Sequence, residues 1–182
     1  MIDPSRIPLS RRSFLEGAVA LSGALLLPAG FARAQNGKFR VSDVAQAAIE
    51  SSPLIYITPI RSDGSESLCH GEVWFAPEGR DLLVVTTPDR WRFLAVKQGL
   101  DRARIWVGDF GVWKKSEGKF KAAPTFLAQA EHVSSNADLV KHTLETMGVK
   151  YEKTGWKNYG PRFDKGLRSG DRVLLRYRPV AA

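Results

Sequence analysis

The chain has 182 residues and a net charge of +8 at pH 7, with one cysteine and three histidines. These counts exclude an intramolecular disulfide and a Cys/His zinc cluster, so we expect a fold stabilised by its core alone and no metal site. The excess of basic residues favours anionic ligands. The sequence lacks a run of basic residues interleaved with aromatic residues, so nothing in it indicates binding to nucleic acid.

The first 34 residues have the composition of an export signal. Arg11 and Arg12 stand in a basic first part, and residues 17–32 carry no charge. This uncharged stretch is shorter than the roughly 20 apolar residues that a membrane-spanning helix needs. Small residues at positions 32 and 34 match what a signal peptidase reads, which predicts cleavage after Ala34.

The segment 10–15, with the sequence SRRSFL, resembles the signal of the twin-arginine (Tat) pathway. That pathway exports folded proteins, many of them with a cofactor already bound. We therefore expect a cleavable Tat signal peptide over 1–34, passage through the Tat translocation machinery, and a periplasmic or otherwise exported domain over 35–182. After cleavage we expect no stable membrane span. An ordinary Sec signal and an uncleaved anchor remain the alternatives.

The first half of the exported part predicts a helix followed by an antiparallel meander. Ser42 is a suitable cap for the helix, β-branched residues mark the strands, and Asp63-Gly64 is typical of a hairpin turn. The predicted elements are a helix over 42–51 and strands over 53–60, 67–76 and 81–87.

The second half predicts helices between strands. Pro88 suits the first turn of a helix and Gly99 its end, while an apolar stripe at helical spacing marks the later helix. Segment 151–170 shows no periodicity. The predicted elements are helices over 88–99 and 137–148, strands over 103–109, 125–134 and 171–180, and a β-ribbon around 116–119. The sum is a mainly β (α+β) class, a six-stranded antiparallel split barrel with flanking helices, in a single domain.

Residues 51–179 resemble the FMN-binding split barrels, the family of pyridoxamine 5′-phosphate oxidase. The resemblance rests on the predicted hairpin over 55–79 and on segment 82–109. In the second segment a strand ends in hydroxyl residues and leads into a helix start with basic residues. The substrate-binding arginines of pyridoxamine 5′-phosphate oxidase have no clear counterparts here, so we do not expect that particular reaction.

The resemblance implies a cofactor site that agrees with the chemistry of a flavin phosphate. Thr86 and Thr87 end a strand that leads into a helix, and Arg90 and Arg92 can supply bidentate hydrogen bonds to an anion. In the family, the preceding strand runs along the flavin ring, where glycine allows close approach. The predicted cofactor-binding residues are His70, Gly71, Glu72, Val73, Thr86, Thr87, Arg90, Trp91 and Arg92.

Each of these residues also has a purely structural explanation. Threonines are ordinary strand residues, the arginines can form a solvated helix face, and His70 can be a half-buried histidine with its hydrogen bonds satisfied. With the resemblance, the pattern indicates an exported FMN-binding oxidoreductase. F420 and haem are the alternative cofactors that the resemblance leaves open. The resemblance also implies a homodimer. The alternatives are a non-catalytic periplasmic binder of haem or another planar ligand, and a protein of this fold without a cofactor. No residue stands out as a catalytic acid or base, and the sequence does not indicate which small molecule is the substrate.

Overall fold

The computed structural model describes residues 41–181, and the predicted signal peptide over 1–34 lies outside this range. The described residues form four α-helices, seven strands and three short 3-10 helices. No helix among these residues is long and apolar enough to cross a membrane. In chain order the elements are α1 (Asp43–Ser51), β1 (Ile55–Pro59), β2 (Gly71–Val73), β3 (Ala76–Glu78), β4 (Asp81–Thr86), α2 (Trp91–Lys97), β5 (Arg102–Val107), β6 (Thr125–His132), α3 (Ala137–Lys150), α4 (Trp156–Ser169) and β7 (Val173–Val180).

The strands form one antiparallel sheet in the order β2-β1-β5-β6-β7-β4-β3. β2 and β3 lie at opposite edges of the sheet, yet only Trp74 and Phe75 separate them along the chain. Three residue steps from Val73 to Ala76 span at most about 11 Å. The sheet therefore has to curl until its two edges approach each other, which is the geometry of a split barrel.

The fold class is confirmed, but the sheet has seven strands where the sequence predicts six. The strand predicted over 67–76 is replaced by β2, which pairs with β1, and β3, which pairs with β4. The chain changes partners at Trp74 and Phe75, because the backbone N–H and C=O groups of Phe75 bond to the hydroxyl of Tyr151 instead of to a neighbouring strand. The three-stranded meander is wrong for the same reason.

Several strands are buried on both faces because both surfaces of the sheet are covered. In β4, Leu82 and Val84 belong to the inner core of the barrel, while Leu83 and Val85 pack outward with residues of α3 and α4. In β1, the outward-facing Tyr56 packs with residues of β5 and of the second 3-10 helix. Period-two alternation thus persists, but both sets of side chains are apolar.

The short helices α1 and α2 contribute to the inner core. Ser42 caps α1 as predicted, accepting a hydrogen bond from the N–H of Ala45 at 3.2 Å. α2 is shorter than its predicted range of 88–99, because the chain becomes helical only after Arg90. Gly99 follows the helix with a φ of +79°, in the left-handed region, as expected for a residue just after a helix end.

Two predictions for the second half are wrong. No β-ribbon forms around 116–119, where the chain instead makes 3-10 turns at Trp113–Lys115 and Lys119–Ala122. The aperiodic segment 151–170 contains α4, which packs against α3 through apolar residues on one face. α4 therefore forms with Pro161 inside it, because tertiary packing outweighs local propensity.

Candidate ligand-binding cavity

A cavity of about 610 Å³ opens beside β2 and the start of α2. Antiparallel pairing places Gly71 opposite Ile57 in β1, and the loop before α2 brings its basic residues to the same wall. Six of the nine residues predicted from the sequence line this cavity: His70, Gly71, Glu72, Arg90, Trp91 and Arg92. The structure thus gathers two segments that lie about twenty positions apart in the chain.

Six further residues that were not predicted from the sequence also line the cavity: Ile57, Pro59, Leu68, Cys69, Trp113 and Lys114. Ile57 and Pro59 of β1 could have been predicted, since a strand that pairs with β2 has to border the same cavity. The two residues after Val112 carried no such signal, because their segment was expected to form a ribbon. They reach the cavity because the backbone N–H of Trp113 donates to the carboxylate of Glu72 at 3.2 Å.

Arg92 is the cation most firmly held at the cavity wall. Its Nη1 donates to the buried hydroxyl of Thr86 at 2.7 Å, and its guanidinium occupies the space where a side chain at position 71 would lie. Gly71 is therefore needed to admit this guanidinium. Burial lowers the pKa of Arg92, and the nearby charge of Arg90 lowers it further. Within residues 41–181 Arg92 has no ion pair with a carboxylate, so its charge is left for another anion.

Arg90 and Trp91 complete the α2 side of the cavity. Arg90 is exposed and lies 3.9 Å from its neighbour Asp89, a contact weakened by solvent. Trp91 carries a buried indole N–H that has no hydrogen-bond partner in the described part of the chain. A buried donor without a partner is costly, so a ligand acceptor at this point would stabilise the site.

His70 lines the same cavity, next to Gly71 in the chain. Its Nδ1 is hydrogen-bonded to the hydroxyl of Thr58, one residue beyond the β1–β2 ladder. The ring meets those of Trp113 and Phe120 edge-on, with centroid separations of 5.2 and 5.3 Å. Burial lowers the pKa of His70, and the charge of Lys121 adds to this effect while Glu66 opposes it. Burial therefore favours the neutral form of the imidazole.

Three predicted residues have surroundings different from those expected. Val73 borders a second cavity next to β2 rather than this one. Thr86 and Thr87 do not line the cavity, because the first bonds Arg92 and the second bonds the carboxylate of Asp89. Thr86 acts on the cavity only through its hydrogen bond to Arg92.

The cavity is electropositive. Arg90, Arg92 and Lys114 line it, and Glu72 is the acidic residue among the lining positions. Among residues 41–181, no group of three or more His, Cys, Asp or Glu side chains is arranged to hold a metal ion. The arrangement suits an anionic organic ligand, with apolar and aromatic side chains for its body and guanidinium groups for its charge.

No family model matches the chain, and no curated protein matches it significantly. Solved structures do match, and their curled antiparallel sheets with flanking helices define the class as a split barrel. One is the heme storage protein HutZ from Vibrio cholerae, with a TM-score of 0.53 and 16% identity over 79% of this chain and 93% of that one.

Two further matches have similar scores. A putative 5-nitroimidazole antibiotic resistance protein from Bacteroides thetaiotaomicron has a TM-score of 0.51 and 9% identity, over 79% of this chain and 82% of that one. A conserved hypothetical protein from Mycobacterium tuberculosis has a TM-score of 0.51 and 16% identity, over 81% of this chain and 84% of that one. The likeness in all three cases is one of fold.

Proposed function

We propose that this protein is an exported FMN-binding split-barrel protein that acts as an oxidoreductase. The observation that carries the proposal is the half-buried guanidinium of Arg92. It is fixed by Thr86 and Gly71 at a cavity wall, and it lacks an ion pair with a carboxylate among the described residues. A fixed cation of this kind favours a ligand with an anionic group.

The residues of the cavity fit a flavin mononucleotide. Arg90 and Arg92 would hold the phosphate, and the indole N–H of Trp91 offers a donor that has no partner among residues 41–181. Its volume of about 610 Å³ lies in the range of small-molecule sites. A bound flavin supplies hydride and electron transfer, while this chain's residues bind it and exclude water.

Titration with FMN tests the proposal directly. The purified protein should quench FMN fluorescence at a defined stoichiometry, and Arg92→Gln should weaken binding by about tenfold or more, the value of a lost charge-assisted hydrogen bond. Arg168→Gln is the matched control, because Arg168 is an exposed arginine of α4. Riboflavin, which has no phosphate, should bind more weakly than FMN. Equal binding by the Arg92 variant, or no binding of FMN, would refute the proposal.

A second candidate function is non-catalytic binding of haem. His70 favours it, since a hydrogen bond to Nδ1 leaves Nε2 as the free ring nitrogen beside the cavity. The Vibrio cholerae match is itself described as a heme storage protein. Haem binding predicts a Soret band on addition of hemin that His70→Ala abolishes. The control is His132→Ala, since His132 is exposed on β6 and bonds Ser134 instead. The same titration with F420 tests the third cofactor that the family resemblance implies.

The proposal includes a homodimer. Leu68 is 81% exposed on the rim of the cavity, and Phe110 and Val112 are exposed in the segment that leads to Trp113. Apolar side chains grouped around a cavity are typical of an interface. Sedimentation should show a dimer that Leu68→Gln weakens, whereas Val149→Gln, equally exposed on α3, should leave it unchanged. A monomer at all concentrations would contradict this part.

A further inference from the structure

A second cavity, of about 550 Å³, also borders β2. Gly71 lines the first cavity and Val73 the second, while Glu72 borders both. Its outer wall is formed by α4 and the residue that precedes β7, neither of which takes part in the first cavity. The two cavities therefore share Glu72 but otherwise have different lining residues.

Three of the nine residues that line this second cavity are aromatic, and their rings contact one another. The indole of Trp74 is stacked on one side against Tyr151, with ring centroids 4.4 Å apart and planes within 7°. Tyr159 meets Trp74 edge-on at 5.3 Å, and Phe163 lies at 6.4 Å. Tyr159 is 46% exposed, so an apolar ligand can reach the rings from solvent. Such a wall favours a flat, apolar ligand.

Arg172 provides a cation at the edge of this aromatic wall. Its guanidinium lies 4.5 Å from the centre of the Phe163 ring, and its aliphatic stem packs against Gly166, whose C=O accepts from the Arg172 N–H at 2.9 Å. The side chain is half-buried and preorganised by α4. It has no ion pair with a carboxylate in the described part of the chain, so its hydrogen-bond donors are available to a ligand.

We infer that the second cavity binds a planar aromatic carboxylate, with the ring system against Trp74 and Tyr159 and the carboxylate on Arg172. A planar carboxylate matches the guanidinium in a bidentate geometry. Glu72, the acidic residue of the wall, is engaged with the N–H of Trp113 on the side of the first cavity. The anion therefore lies at the Arg172 end. The inference does not depend on a flavin or a haem in the first cavity.

Calorimetric titration with three probes tests the required chemistry. 2-Naphthoate supplies the ring and the charge, 2-naphthalenemethanol the ring alone, and cyclohexanecarboxylate the charge without an aromatic ring. We expect 2-naphthoate to bind about tenfold or more tightly than either of the other two. Equal affinity for the alcohol, or no heat with 2-naphthoate at millimolar concentration, overturns the inference.

Variants locate the bound probe. Arg172→Met keeps an apolar stem against Gly166 and should weaken 2-naphthoate binding by about tenfold, whereas Arg168→Met on the exposed face of α4 should not. Arg92→Met, in the first cavity, should also leave it unchanged. A loss of binding in Arg92→Met with retention in Arg172→Met would place the probe in the first cavity and refute the inference, and an equal loss in both variants would also contradict it.

Tyr159→Ala provides a second test, which remains available if the Arg172→Met variant does not fold. Tyr159 is part-exposed, so its truncation removes one wall of the cavity without opening the core. Loss of binding in Tyr159→Ala with retention in Tyr159→Phe supports the aromatic wall. Unchanged binding in Tyr159→Ala contradicts it.

Discussion

The hydroxyl of Tyr151 stabilises the point where the chain passes from β2 to β3. It accepts from the N–H of Phe75 at 2.9 Å and lies 3.0 Å from the C=O groups of both Phe75 and Pro53. Burial raises the pKa of this hydroxyl, so it remains a protonated donor over the whole physiological range. One side chain thus replaces the ladder bonds that a continuous strand would have made.

Removing this hydroxyl should destabilise the fold. Tyr151→Phe leaves buried backbone groups without partners, and we expect the free energy of unfolding to fall by about 1–3 kcal/mol. Urea unfolding measures the difference. Tyr159→Phe is the matched control, since its exposed hydroxyl should change stability by less than about 0.5 kcal/mol. Equal stability of the two variants would show that the Tyr151 bonds are not important.

His70 should make stability depend on pH. Burial lowers its pKa below the ordinary value of 6.5, so the unfolded chain binds a proton more readily than the folded one. Stability from this group is complete above pH 6.5, declines as the pH falls below that value, and levels off below the folded pKa. Urea unfolding at pH 7.5 and 5.0 should show a smaller difference for His70→Gln than for the wild type. His132→Gln should retain the wild-type difference, and a loss in both variants would argue against this assignment.

At the scale of elements, α3 and α4 pack closely around one aromatic ring. The indole of Trp156 lies between Gly148 of α3 and Gly160 of α4, and a Cβ at Gly160 would stand 2.7 Å from a ring carbon. The ring cannot move away easily, because a Cβ at Gly148 would itself lie only 3.1 Å from its nitrogen. Both glycines therefore serve close packing and not backbone freedom.

Gly160→Ala tests which effect decides at this interface. Helix propensity alone would favour alanine by about 1 kcal/mol, but the overpacked ring should cost more, with a net loss of about 1–2 kcal/mol. Thermal unfolding gives the sign. Lys165→Ala, on an exposed position of the same helix, should be nearly neutral. A stabilised Gly160→Ala protein would mean that the indole has room to shift.

The helices α3 and α4 show why the sequence predicted some elements and missed others. α3 has a cap at Asn136 and an apolar stripe, and its existence is confirmed. α4 contains Pro161 and two internal glycines, at positions 160 and 166, which ordinarily interrupt helices. It forms because its apolar residues pack against α3 and the outer face of the sheet, and the local sequence pattern does not record that packing.

For the whole molecule, the sequence predicted the curled antiparallel sheet more reliably than the details of its candidate site. Residues 70–72 and 90–92 were grouped through the family resemblance, and the structure brings them to one cavity. Lys114 and Trp113 were missed because a hydrogen bond between distant residues positions their segment. The second cavity was not predicted either, since Tyr159 and Phe163 of its wall belong to the unpredicted α4.

The last prediction concerns export of the whole chain. If Arg11 and Arg12 direct the protein to the Tat pathway, replacing both by lysine should hold the precursor in the cytoplasm, although the charge of the segment is unchanged. A Sec signal needs only a basic first part and would tolerate the replacement. Cell fractionation and the size of the processed protein measure the outcome. Arg6→Lys is the matched control and should be exported normally. Normal export of the double variant would refute the Tat assignment, and with it the expectation that a cofactor is loaded before export.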